Sequence, residues 1–62
     1  MIRKGKWEHI RSGRVYDVLN TCRLKVGGEW VAGVLYTTKD SDQLFVRNIQ
    51  EFKEKFIEWK KS

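Results

Sequence analysis

Few residues in this 62-residue chain have both the type and the spacing for chemistry. His9 is the sole imidazole, the group most often recruited for proton transfer near neutral pH. A general base also needs a nucleophile or substrate group within hydrogen-bond reach and a partner to orient it. No Ser, Cys or Asp here stands in a known catalytic motif, so His9 is expected to be hydrogen-bonded at the rim of a small barrel. A single cysteine, Cys22, excludes an internal disulfide and any multi-cysteine zinc site. It reads as a small packing residue. Asp40 and Asp42 share a turn, yet the remaining residues of a calcium loop do not follow. Gly27-Gly28 lacks the spacing of a phosphate-binding loop. The expectation is a protein without catalysis, metal or cofactor.

Binding chemistry is better represented. Arg47 alternates with Phe45 along one face of an extended segment, where a guanidinium could grip a carboxylate or phosphate in bidentate fashion. The favoured alternative is structural, with Arg47 tying down a carbonyl or an internal carboxylate such as Asp17. Trp7, Trp30, Trp59, Tyr16, Tyr36 and Phe45 are more rings than so small a core can swallow whole. Leftover rings among cations would suit stacking on single-stranded nucleic acid or anchoring a protein interface. Lys and Arg outnumber Asp and Glu by 13 to 8, a net charge of +5 that favours an acidic partner without naming it. The cations are densest at Arg3, Lys4, Lys6, Arg11 and Arg14, and again at Lys60 and Lys61. Candidate binding residues are therefore Trp7, His9, Arg14, Trp30, Tyr36, Phe45 and Arg47.

The elements that must position them follow from periodicity. Lys6–Ile10 puts Trp7 and His9 on one side of a short strand. Ser12-Gly13 supplies a turn, and Val15 to about Lys25 forms a second strand with Tyr16 and Val18 on one face. Gly27-Gly28 is the clearest hairpin signal. Trp30–Thr38 is apolar on both faces, as a central strand is, and after a polar turn at 39–42 the run Leu44–Arg47 makes a fourth. The period then changes. Ile49, Phe52, Phe56 and Trp59 recur at helical spacing, Asn48 is placed to cap the helix, and Glu51 completes a capping-box pattern. Glu51 and Lys55 form a favourable pair one turn apart. The expected fold is mainly β with one C-terminal helix, a single domain over 1–62. Four or five antiparallel strands over about 6–47 would form a small SH3-like barrel, closed by a helix over about 49–60.

Trp7-x-His9, Gly13-x-x-Tyr16-x-Val18, Val34-Leu35-Tyr36, Phe45-Val46-Arg47, Phe52 and Phe56 follow one another along the chain. Their order resembles a family of small uncharacterised bacterial and phage proteins. Family members read aromatic-x-His, Gly-x-x-Tyr-x-Val, Val-Val-Tyr and aromatic-Val-Arg-Pro with a downstream Phe. The resemblance runs over roughly residues 6 to 57, with Leu35 replacing the second Val and Asn48 replacing the Pro. It implies an SH3-like barrel and a phage or prophage setting, with no established activity.

The longest stretch free of charge, Trp30–Thr38, is far shorter than the roughly 20 apolar residues of a membrane span. Lys4, Lys6, Glu8 and Arg11 interrupt any apolar leader. A cytoplasmic protein is expected, in the host cytoplasm if phage-encoded. The leading expectation is a non-enzymatic binding module that attaches to, and inhibits, a host protein such as a defence component. Alternatives are a small basic nucleic-acid-binding protein and a scavenger of a phosphorylated nucleotide signal. The last would need a concave site of Arg and aromatic side chains, which a homo-oligomer interface can supply.

Overall fold

The computed structural model describes residues 2–38 and 41–59. Among these residues five antiparallel strands run as a meander whose last member returns to the first, giving the sheet order β4-β3-β2-β1-β5. The strands are β1 (Gly5–His9), β2 (Val15–Val26), β3 (Glu29–Thr37), β4 (Leu44–Asn48) and β5 (Phe56–Glu58), with helix α1 (Ile49–Lys55) between β4 and β5. Half of the polar turn expected at 39–42 lies outside the described residues, as does Lys60 at the expected helix end.

Gly27 and Gly28 both have positive φ, 56° and 84°, between the paired residues Val26 and Glu29. This is the left-handed pair that a two-residue hairpin loop requires, and it matches the twist of the strands it joins. At the other end, Asn48 caps α1, its side-chain oxygen accepting from the Gln50 amide at 2.8 Å. Glu51 does not complete the expected capping box; its carboxylate pairs with Arg47, and at 3.9 Å with Lys55.

The expectation of a mainly β chain with one C-terminal helix holds: the strands form one open sheet, with β4 and β5 as its opposite edges and α1 between them in the chain. The expected extent of the helix is corrected, since it ends at Lys55, well short of 60. Phe56 is extended, at φ −128° and ψ 151°, and begins β5, which pairs with β1 through Trp7↔Glu58, Glu8↔Ile57 and His9↔Phe56. Phe56-Ile57-Glu58 satisfies period two as well as it satisfied the helical period. The unpaired edge of β1 decides between them, because strand addition there supplies ladder hydrogen bonds a helix would leave unmade.

Directly opposed residues share a face of the sheet. One face carries Trp7, His9, Tyr16, Val18, Val34, Tyr36, Phe45 and Arg47, and α1 lies against it. Ile2, Val18, Val34, Tyr36, Phe52 and Phe56 form the buried core, Val34 and Phe52 being fully enclosed. The Phe52 and Phe56 rings stack 4.2 Å apart, and the Tyr36 ring touches both of them as well as Tyr16 and Phe45. A helix of seven residues has no stability of its own, so these contacts hold α1 in place.

The other face has no helix against it. A bulge at Leu19 decides what it carries: Val18 pairs with Tyr36, but Asn20, not Leu19, pairs with Leu35. The extra residue reverses the alternation beyond it. Cys22, Leu24 and Val26 therefore lie on the helix-free face, while Thr21, Arg23 and Lys25 turn to the helix side. Gly33 sits opposite Cys22 on the helix-free face, and a Cβ there would run into Leu24 and Cys22.

Candidate functional site

Five of the candidate binding residues, Trp7, His9, Tyr36, Phe45 and Arg47, lie on the helix-side face, and their chemistry is largely consumed by the fold. Arg47 Nε donates to the Tyr36 hydroxyl at 3.1 Å, its terminal nitrogen pairs with Glu51, and its guanidinium lies 5.9 Å from the Phe56 ring centroid. The carboxylate it ties down is thus Glu51 rather than Asp17, which lies on the opposite face of the sheet. The hydrogen bond to Tyr36 contributes most to raising the Arg47 pKa above its ordinary value; burial opposes the shift and Glu51 adds to it. Phe45 stacks on Tyr36. Trp7 packs edge-on against Phe52, and its indole N–H donates to the Arg3 carbonyl at 2.9 Å.

His9 sits beside this group, edge-on to Phe56, with Nδ1 2.8 Å from the Ser12 hydroxyl. A histidine hydrogen-bonded to a serine is also what a base and its nucleophile look like. Here, however, the Ser12 hydroxyl accepts from the Arg14 amide at 3.3 Å, and the Ser12 amide donates to His9 Nδ1 at 3.3 Å. With the His9 amide donating to the Arg14 carbonyl at 2.8 Å, the group is a side-chain-built turn between β1 and β2. Ser12 was read from sequence only as a turn former. The i,i+3 spacing from His9 is the signal that could have paired them.

Trp30 and Arg14 stand apart from this cluster. Trp30 is 64% exposed near the hairpin tip, with the Lys25 ammonium 5.9 Å from its ring centroid. Arg14 reaches the helix-free face, where it lines a cleft of about 670 Å³ with Lys6, Val15, Asp17, Thr38, Ser41 and Trp59. Register explains the grouping: Lys6 pairs with Asp17, and Asp17 with Thr37. The Trp59 amide donates to the Lys6 carbonyl at 3.1 Å, bringing its ring within 5.7 Å of the Lys6 ammonium. Neither Lys6 nor Arg14 has an ion-pair partner among the described residues. Lys6, Asp17 and Trp59 were not among the candidates; β1–β2 pairing brings Lys6 to Asp17, and Trp59 joins them only because β5 is a strand.

The two well-exposed Trp rings are not neighbours. Trp30 lies near the start of β3, and the cleft residue Thr38 follows its end. Eight residues at about 3.3 Å each separate them by roughly 26 Å, so they do not form one stacking platform. Among the described residues no group of three His, Cys, Asp or Glu side chains could hold a metal ion, and no helix is long and apolar enough to cross a membrane. No protein-family model, curated protein or solved structure matches this chain.

Proposed function

We propose that this chain is a non-enzymatic binding module that attaches to another protein through the Lys6–Arg14–Trp59 cleft. One observation carries the reading: an exposed indole and two cations free of ion pairs among the described residues converge on a concavity in the sheet face that no helix covers. Trp and Arg dominate the energetics of protein interfaces because they bury area at low entropic cost and donate fixed hydrogen bonds. Asp17 in the lining offers a carboxylate to partner N–H groups, and the same carboxylate works against a polyphosphate ligand. The ligand best fitted is a protein segment combining an acidic side chain with an apolar one.

The meander order, with α1 between the two edge strands, supports the finer reading of a small SH3-like barrel. The sequence resemblance to small bacterial and phage proteins extends the proposal to a phage- or prophage-encoded product acting in the host cytoplasm. Its target would be a host protein such as a defence component, inhibited by occlusion. A phosphorylated nucleotide is the second reading, because Arg14 and the Trp59 ring share one concave site of ligand size.

Capture of partners from host lysate by the tagged chain, with and without nuclease, tests the proposal. The expected result is one stoichiometric protein that survives nuclease and is lost when Arg14→Glu or Trp59→Ala replaces the native residue. Capture of only nuclease-sensitive material would replace this reading with nucleic-acid binding. Tight binding of a nucleotide by the purified chain, abolished by Arg14→Glu, would replace it with the second.

A further inference from the structure

The β2–β3 hairpin outruns its neighbours. β4 pairs with β3 no further than Gly33, and β1 pairs with β2 no further than Val18. The pairs from Arg23↔Ala32 to Val26↔Glu29 therefore project as a two-stranded arm, stretching the molecule to 41 × 23 × 19 Å. The Leu19 bulge decides what the arm displays: Arg23, Lys25, Trp30 and Ala32 share its helix side, and all four are exposed. We propose that this side of the arm binds single-stranded nucleic acid, with one base stacked on Trp30 and the neighbouring phosphates on Lys25 and Arg23.

Charge and shape select this ligand. The Trp30 ring packs against no other aromatic ring among the described residues, unlike Trp7, Tyr16, Tyr36 and Phe45, so its π-face is open to a base. The Lys25 ammonium lies 5.9 Å from the ring centroid, close enough to hold the phosphate of a nucleotide stacked there. Arg23 follows two residues away on the same strand face, roughly 6.6 Å from Lys25, which is near the spacing of successive phosphates in an extended strand. Neither cation has an ion-pair partner among the described residues. No carboxylate of the arm opposes an anion on this side: Glu29 pairs with Val26 on the other face, and Glu51 of α1 is held by Arg47 and Lys55. Where the arm meets the body, Thr21, Cys22, Arg23, Ala32 and Ile49 line a concavity of about 380 Å³, room for a second nucleoside. Ring, cations and concavity thus form one short track. A duplex keeps its base faces within its own stack and offers Trp30 nothing to lie on. An anionic lipid surface is disfavoured, because insertion of the hairpin tip would carry Glu29 among the headgroups. The Lys6–Arg14–Trp59 cleft lies at the opposite end of β2 and β3, so the two sites are separate.

Fluorescence anisotropy of a labelled oligothymidylate of about 12 nucleotides, titrated with the full chain over a range of salt, tests the proposal, with circular dichroism reporting the fold. Trp30→Ala should weaken binding about 5- to 150-fold, the worth of one stacked base, while Trp30→Phe, which keeps a ring, should retain part of the affinity. Arg23→Gln and, separately, Lys25→Gln should each make the slope of log K against log salt shallower by about 0.7, one phosphate contact apiece. Trp59→Ala, in the cleft, should leave oligonucleotide binding unchanged. Absence of binding at low salt would overturn the proposal. So would affinity that survives in folded Trp30→Ala, equal affinity for a duplex, or loss of binding in Trp59→Ala. Retention on phosphatidylserine vesicles that depends on Trp30, in place of oligonucleotide binding, would replace the nucleic acid with a lipid surface. Trp30→Ala leaves the cleft intact, so protein capture through the cleft and nucleic-acid binding on the arm fail separately.

Discussion

Arg47 Nε and the Tyr36 hydroxyl meet at 3.1 Å on the helix-side face, joining β4 to β3 at the point where the chain turns into α1. Tyr36 is buried among four other aromatic rings, and among the described residues Arg47 is its hydroxyl's one hydrogen-bond partner. Arg47 then reaches Glu51 one helical turn on, coupling sheet and helix through a single side chain.

Arg47→Met keeps an unbranched apolar stem but leaves the Tyr36 hydroxyl and the Glu51 carboxylate without their donor. A loss of about 1–3 kcal/mol is expected, measured by urea unfolding. In a double-mutant cycle, Tyr36→Phe should cost much less when Arg47→Met is already present than it does in the wild type.

The same contacts set a pH expectation. A group whose folded pKa is raised stabilises the fold below its unfolded pKa and loses that contribution only as pH rises through the folded value. For Arg47 the unfolded value already lies far above neutral pH and the folded one is higher still. The stability gap between wild type and Arg47→Met should therefore show no loss from Arg47 deprotonation between pH 6 and 9, as followed by thermal melts. A gap that closes toward pH 9 would contradict this.

Gly33→Ala should destabilise the fold, because its Cβ enters space held by Leu24 and Cys22. Overpacking of this kind costs about 1–3 kcal/mol. Leu24→Ala alone should cost less, since Leu24 is only half-buried, and in combination it should recover part of the Gly33→Ala loss, the Cys22 Sγ and the Arg47 carbonyl oxygen still crowding the new Cβ. Urea midpoints of the three variants check both statements.

Deletion of Leu19 should be tolerated. The residue occupies the bulge, and its removal lets Val18↔Tyr36 and Asn20↔Leu35 follow in a regular ladder without changing any later residue's face. Amide exchange should show Val34–Tyr36 as protected as in the parent chain.

Phe52→Ala removes a fully buried ring that stacks on Phe56 and packs against Trp7 and Tyr36. Truncations of this type cost about 3–5 kcal/mol, close to the whole stability of a domain this size. Loss of the cooperative thermal transition is expected.

Much of this architecture is written locally in the chain. Period-two runs place Trp7, His9, Tyr16 and Val18 on one face, Gly27-Gly28 turns the hairpin, and Asn48 caps the helix whose Phe52 enters the core. Each depends on residues within a few positions of one another, so one sequence suffices to read it. Three features depend on distant partners. Phe56 fits a helix or a strand equally well until the bare edge of β1 decides. Arg47 had carboxylates on several elements to choose from, and the Tyr36 hydroxyl, eleven residues away across the β3–β4 ladder, fixes where its guanidinium lies. The bulge at Leu19 leaves no local mark, yet one added residue inverts every face beyond it. It is the register against β3, set by burial of Val34 and Tyr36, that sends Leu24 to the helix-free face and Arg23 away from it.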